Sequence, residues 1–389
     1  MKLKFSKNTI LSISFILLII FSAVYLITIE SLGIGMMLNP YKTPRTFRID
    51  IESDEDFKHY DFPGSGTIDD PYIIENYTII SDSYAISING VSKYCIIRNN
   101  ILGGGTYNGV LYLSDIRMNI IKIYNNSFIG DAYSGSLNGI KFYNCANIIF
   151  ERNKVTNFFY GITTLSNCDN LSIRNNSFKS FDRSLYLTDS ENINIHNNTF
   201  YLLKDPYYNY YYGDSIFLSN SKDININNNM FHNSSLAISY STLSSFHNNT
   251  INSYQIGFFH DQNNFTIDNN YGQIIMINCN YVNIKNQKIA YTNDGILLRS
   301  CNNCYLNSST LYLNLDEGIN ALKCDNLTID KCLFNKNLDG IGLINCDNSV
   351  IQNSTISNNG NGLFISSSTY ILHNTEFLNN KQDVSTYPY

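Results

Sequence analysis

The sequence predicts an all-β protein: a single-stranded right-handed parallel β-helix of about thirteen coils, preceded by one N-terminal transmembrane helix. Three observations predict it. Gly295-Ile296, Gly318-Ile319, Gly340-Ile341 and Gly362-Leu363 open four blocks at gaps of 23, 22 and 22 residues. Each block carries two short apolar alternations separated by a turn, the pattern of short strands rather than helices. Paired asparagines recur in register, as in Ile173-Arg174-Asn175-Asn176-Ser177-Phe178 and Ile195-His196-Asn197-Asn198-Thr199-Phe200. A fixed period of this length marks a solenoid, whose units bury their apolar residues only by stacking on neighbours.

The chain opens with Lys2, Lys4 and Lys7, followed by 20 uncharged positions from Ile10 to Ile29. That length crosses a bilayer as a helix, and the basic flank keeps residues 1–9 in the cytoplasm. The competing reading is a cleaved signal peptide, which normally has a shorter apolar core and a small-residue cleavage site. Either way the repeats lie outside the cell, as a single-pass cell-membrane protein or a secreted one. Residues 30–45 then form a linker.

Residues 46–84 read as a cap and first coil: a strand at Phe47-Arg48-Ile49-Asp50-Ile51, an acidic turn, and a Gly-rich loop before Tyr72-Ile73-Ile74. From 85 to 380 the coils start at Ala85, Gly109, Gly139, Gly161, Ser184, Ser215, Ala237, Ile256 and Ile274, then at the four glycines above. Residues 381–389 are left as a tail. Asn suits the corners, because it tolerates left-handed backbone and its amides ladder when stacked. Cys145, Cys168, Cys279, Cys301, Cys324 and Cys346 share one repeat position, which implies a buried column of small apolar thiols. A leucine-rich repeat fits half of each block, but the remainder is a second β-type alternation without helix formers.

The Gly64-Ser65-Gly66-Thr67 loop with Asp70-Pro71-Tyr72-Ile73-Ile74, followed by Gly-Ile-x-Leu, Asn-Cys-x-Asn and Asn-Asn-x-Phe units, resembles a known group. It is similar to the right-handed parallel β-helix repeat proteins of the NosD-like, carbohydrate-binding and sugar-hydrolase type, common among archaeal surface proteins. The resemblance covers 46–380. It implies the fold, and a function among polysaccharide enzymes, copper-site maturation factors and adhesive surface proteins.

The same resemblance implies that substrate lies along an outer face and is worked on by carboxylates, with or without Ca²⁺. Asp294, Glu317 and Asp339 precede successive leading glycines, so stacking aligns them as an acid and base pair or as oxygen ligands for Ca²⁺. Their bland reading is corner residues chosen for turn geometry. A second candidate is the insertion holding Tyr207, Tyr208, Tyr210, Tyr211, Tyr212 and Asp214, with Arg183 one coil earlier, as a glycan-contact loop or a loop folded down on the coils. A third is an apolar stripe on the outer side of the first strand, including Tyr186, Phe217 and Phe259, which a partner or a loop must cover. His196 and His247 share an otherwise mixed outward column, Cys301 and Cys304 form the one Cys-x-x-Cys pair and Met is sparse, so a copper role finds no supporting ligand set and no metal site is assigned.

A net charge of −6 with only 15 % charged residues argues against nucleic acid as a partner. The sequence therefore points to a membrane-anchored extracellular β-helix protein that binds a glycan or another cell-surface component such as a protein, with no catalysis demonstrated by its residues. The alternatives are a polysaccharide lyase or glycoside hydrolase using the carboxylate column, and a structural or adhesive surface protein.

Overall fold

The computed structural model describes residues 48–104, 109–131, 138–164, 167–204 and 213–387. The anchor expected over 10–29, its flanks, and Tyr207, Tyr208, Tyr210, Tyr211 and Tyr212 lie outside the described residues. Among the described residues no helix is long and apolar enough to cross a membrane.

The chain winds as an all-β right-handed parallel solenoid of about thirteen turns. Each turn lays short strands on three faces, and each strand pairs in parallel with its counterpart one turn on. Alternation of side chains along a strand decides which residues enter the core. On the first face Leu111, Ile140, Ile162, Leu185, Ile216 and Leu236 stand in register and are all buried. On the third face Phe178, Phe200 and Phe231 stack with ring centroids 5.2 and 4.9 Å apart. Helix Asp56–His59 closes the first end, its buried Phe57 lying flat on Tyr72 at 4.5 Å.

The corners account for the paired asparagines. The first of each pair takes the left-handed backbone region, with φ of 57° at Asn175, 56° at Asn197 and 58° at Asn228. The second turns inward: Asn176 Oδ1 accepts from the Asn153 N–H at 2.8 Å, while its Nδ2 donates to Phe150 O and Asn198 Oδ1 at 2.9 Å each. These bonds satisfy peptide groups that the corner withdraws from the strand ladders. Thiols play a similar part elsewhere, the N–H groups of Cys279, Cys301 and Cys324 donating to the Sγ of the next cysteine at 3.3 to 3.4 Å. All nine cysteines are free and buried.

The stack is not continuous. Strand Thr250–Ile251 turns back antiparallel into Tyr254–His260. Asn252 (φ 49°) and Ser253 (φ 73°) form the two-residue link, with the left-handed pair that a tight hairpin requires. Parallel stacking restarts there and runs to Gln382–Tyr387, which pairs with Asn361–Ser366 inside the expected tail.

The second stack covers the open end of the first. Ile275 and Leu297 lie on the outer side of their strands yet are 0 % and 1 % exposed, because with Ile256 of the same stack they join Leu236 and Ile251 in the first stack's core. Phe246 of the first stack meets Phe258 of the second at 5.0 Å. At Gly272 an added Cβ would fall 2.2 Å from Ile251 Cγ2 and 2.8 Å from Ile251 O, so only glycine permits this approach.

The restart also inverts one expected residue. Phe259 pairs with the buried Met276 and points into the second stack against Phe265 and Tyr271, while Phe258 pairs with Ile275 and faces out. Counting through the hairpin shifts the register by one, which moves every side chain to the opposite face. Phe259 is thus half-buried against the second stack's core and leaves the outward stripe expected for it.

Candidate active site

A cleft of about 880 Å³ opens where the two stacks meet. The first stack contributes Asp182, Arg183, Gly213 and Asp214, and the second contributes Asp316, Lys336 and Lys381 among others. The acidic residues are placed by strand starts. Asp294 precedes Ile296–Arg299, and Glu317 and Asp339 open their strands directly in register, with Asn361 next.

Asp294, Asp316 and Glu317 bring one carboxylate oxygen each within 4.8 Å of one another. Asp316 faces the cleft, while Asp294 and Glu317 are buried behind it. The Glu317 N–H donates to Asp294 Oδ1 at 3.4 Å, and Asn320 Nδ2 donates to Glu317 Oε2 at 3.1 Å. Burial, and then the neighbouring Asp294 and Asp316, push Glu317 well above the usual carboxyl range. Burial and then Asp294 push Asp316 up to about 7.

Asp214 faces this trio from the first stack, with Ser235 Oγ donating to its Oδ1 at 2.5 Å. Burial first, and then Asp294, push it up to about 7 as well. Burial also raises Asp339, against the Asn361 Nδ2 that donates to its Oδ1 at 2.7 Å. Glu317 therefore keeps its proton at neutrality while Asp316 and Asp214 titrate there, which sets donors and acceptors side by side.

Of the residues singled out from the sequence, Asp294, Glu317, Asp339, Arg183 and Asp214 converge on this seam. Tyr186 and Phe217 stand beside it on the outer side of the first face, half-buried and in register. Their faces are not free: Tyr160, Tyr186 and Phe217 follow one another at 5.8 and 5.3 Å, and the Arg183 guanidinium lies 5.2 Å from the Tyr186 centroid and 4.4 Å from that of Phe217. They hold Arg183 at the cleft instead of presenting a stacking platform. Asp316 was missed. Its signal was the Asp316-Glu317 doublet in a chain poor in charge.

Residues 272–387 match the family model for a right handed beta helix region, and residues 122–272 match that for NosD, described as a periplasmic copper-binding protein. Over residues 122–387 the chain is thus similar to NosD-type and right-handed parallel β-helix repeat proteins. No curated protein matches it. Among solved structures it is similar to the A-module of a mannuronan C-5 epimerase from Azotobacter vinelandii (12 % identity, 82 % of this chain and 87 % of that one, TM-score 0.28). It is similar also to the catalytic domain of a GH87 alpha-1,3-glucanase (13 %, 89 % and 69 %, 0.35). A third is PfbA, a surface adhesin of Streptococcus pneumoniae (12 %, 86 % and 93 %, 0.34). Likenesses at these TM-scores carry no argument about activity.

Copper does not fit the described residues of this chain. All nine thiols are buried; burial pushes Cys304 up to about 12 and Cys332 up to about 11, while hydrogen bonds from neighbouring thiols lower Cys301 and Cys346. Among the described residues the only convergence of three ligating groups is Asp294, Asp316 and Glu317. An all-oxygen trio has the donor chemistry of a hard cation such as Ca²⁺, not of copper.

Proposed function

We propose that this chain binds a glycan in the seam cleft and acts on it by proton transfer, as a polysaccharide lyase or glycoside hydrolase outside the cytoplasm. The observation that carries the reading is a group of carboxyls whose proton affinities are raised to neutrality, set at an open cleft of the size that holds a small saccharide. Asp316 is the group in reach of a bound sugar. It gives its proton to the glycosidic oxygen as that bond breaks. The ionised form of Asp214, across the cleft, takes a proton from a ring carbon in a lyase or from water in a hydrolase, while Glu317 stays protonated behind Asp316.

Spacing favours particular pairings. With oxygens within 4.8 Å, the trio leaves no room for the water that an inverting hydrolase places between its carboxyls, a gap of roughly 6.5 to 9.5 Å. Inversion would need Asp214 on the opposite wall.

The uncharged run Ile10–Ile29 behind basic residues supports export, with the chain retained at the cell membrane and its repeats facing out. A cell-surface glycan is the partner this placement makes available. The test is incubation of the full chain with a panel of polysaccharides, reading reducing ends and unsaturated products. Product formation lost in Asp316→Asn and Glu317→Gln supports the reading. Glycan retention with no product would leave a binding protein, and neither retention nor product would end the reading altogether.

A further inference from the structure

Arg183 is the most specifically held charge in the cleft. Its guanidinium rests on the rings of Phe217 and Tyr186, and its Nε is buried without a hydrogen-bond partner. The adjacent carboxylate, Asp182, stands 3.9 Å away, beyond a hydrogen bond, and burial raises its proton affinity so that it is a weak counter-ion. The aromatic column beneath fixes the guanidinium in position, which lowers the ordering cost when it binds an anion. From the other wall come Lys336 and Lys381, which form no ion pair among the described residues.

The chain as a whole carries −6, so its general field repels polyanions. Cations gathered from two stacks onto one cleft therefore act locally. A neutral sugar gives a ring-mounted guanidinium nothing to pair with, whereas a carboxylate or sulfate accepts two parallel N–H bonds from it. The acidic floor opposes such a ligand less than fully ionised carboxylates would, because burial leaves Asp214 and Asp316 partly protonated at neutrality.

We infer that the cleft recognises an acidic glycan, with Arg183 as the anchoring cation and with Tyr186 and Phe217 as positioning residues that hold it. This inference rests on the reading of the seam as a glycan site. Its two sources of anionic chemistry, uronate carboxylate and sulfate ester, are separated by the probes.

The experiment measures binding of the full chain to polygalacturonate, to a sulfated galactan and to dextran, at low and at moderate salt. Binding to either polyanion, weakened by added salt and about tenfold by Arg183→Gln, supports the inference, and the preferred probe names the anion. Tyr186→Phe, which keeps the ring, should bind as the parent does, while Tyr186→Leu combined with Phe217→Leu should lose affinity as Arg183→Gln does. A melting temperature within a few degrees of the parent's shows that each variant is folded. Dextran bound as tightly as the polyanions, or an Arg183→Gln variant that binds unchanged, overturns the anionic specificity and leaves the glycan site standing. Failure to bind any of the three probes overturns the glycan reading and this inference with it.

Discussion

Replacing Asp214 by Asn should stabilise the protein at alkaline pH and do little at acid pH. Asp214 is buried, accepts from Ser235, and faces Asp294 and Asp316 across the seam, with Arg183 the opposing charge. Its carboxyl moves from 3.8 to about 7 on folding, with burial the larger cause. The sign follows from proton uptake. Below about pH 4 both folded and unfolded chains hold the proton, and the group contributes no pH dependence. As pH rises from about 4 to 7 the unfolded chain releases it while the folded chain retains it, so stability falls, and the loss is complete above about 7. A shift of that size corresponds to on the order of 4 kcal/mol. Asn keeps the oxygen that Ser235 bonds and carries no charge. Urea unfolding of parent and variant at about pH 4.5 and pH 8 gives the difference directly, and several kcal/mol should separate them only at the higher pH. Equal differences at both values, or a variant weaker than the parent at pH 8, would refute the claim that a desolvated carboxylate strains the seam.

Turnover, where a polysaccharide substrate is found, should fall above about pH 7 as Asp316 loses its proton, which a pH profile of initial rates checks. Leu297→Asp should cost about 3 to 5 kcal/mol, as an unpaired charge buried in the seam, while Leu322→Asp, at the neighbouring outward position two turns' pattern predicts to be equivalent in direction, should be tolerated; thermal melts compare them. Asn176→Ala leaves the Asn153 N–H and the Phe150 carbonyl unpaired and should cost about 1 to 3 kcal/mol in denaturant unfolding. A thiol reagent should find no fast-reacting cysteine in the folded protein and all nine after unfolding.

The regular part of the fold was legible because stacking repeats its own constraints. Asn at many corners, a large aliphatic or Phe at most inward positions and a thiol column through part of the stack recur at the coil period, so each turn supports the last. The interruption at Asn252-Ser253 was not legible, since its Asn and Ser are the same residue types that make ordinary corners. Only the backbone direction differs there, and the one-residue register error at Phe259 follows from it. The acidic column was visible as Asp294, Glu317 and Asp339. Its meaning was not, because turn-forming acids and buried functional acids look alike until burial is known.

The fold-back explains why a site arises here. In an unbroken helix, Asp214 would sit four coils from Asp294, with Ser234, Gln255 and Gly272 at the intervening positions. At about 4.8 Å per coil that is roughly 19 Å. A separation of about two Debye lengths leaves exposed charges almost uncoupled in physiological salt. Yet Asp294 is the leading charge acting on Asp214, and Asp316 contributes as well. The hairpin closes that distance by turning the second stack's outer face onto the first stack's end. One contact surface thus serves two ends: Ile275 and Leu297 cap an apolar core that would otherwise face water, and the same approach desolvates carboxyls from both stacks beside Arg183. The candidate site in this repeat protein is therefore a property of the break in the repeat, since Asp294, Asp316 and Glu317 come from one stack and the ring-mounted Arg183 from the other.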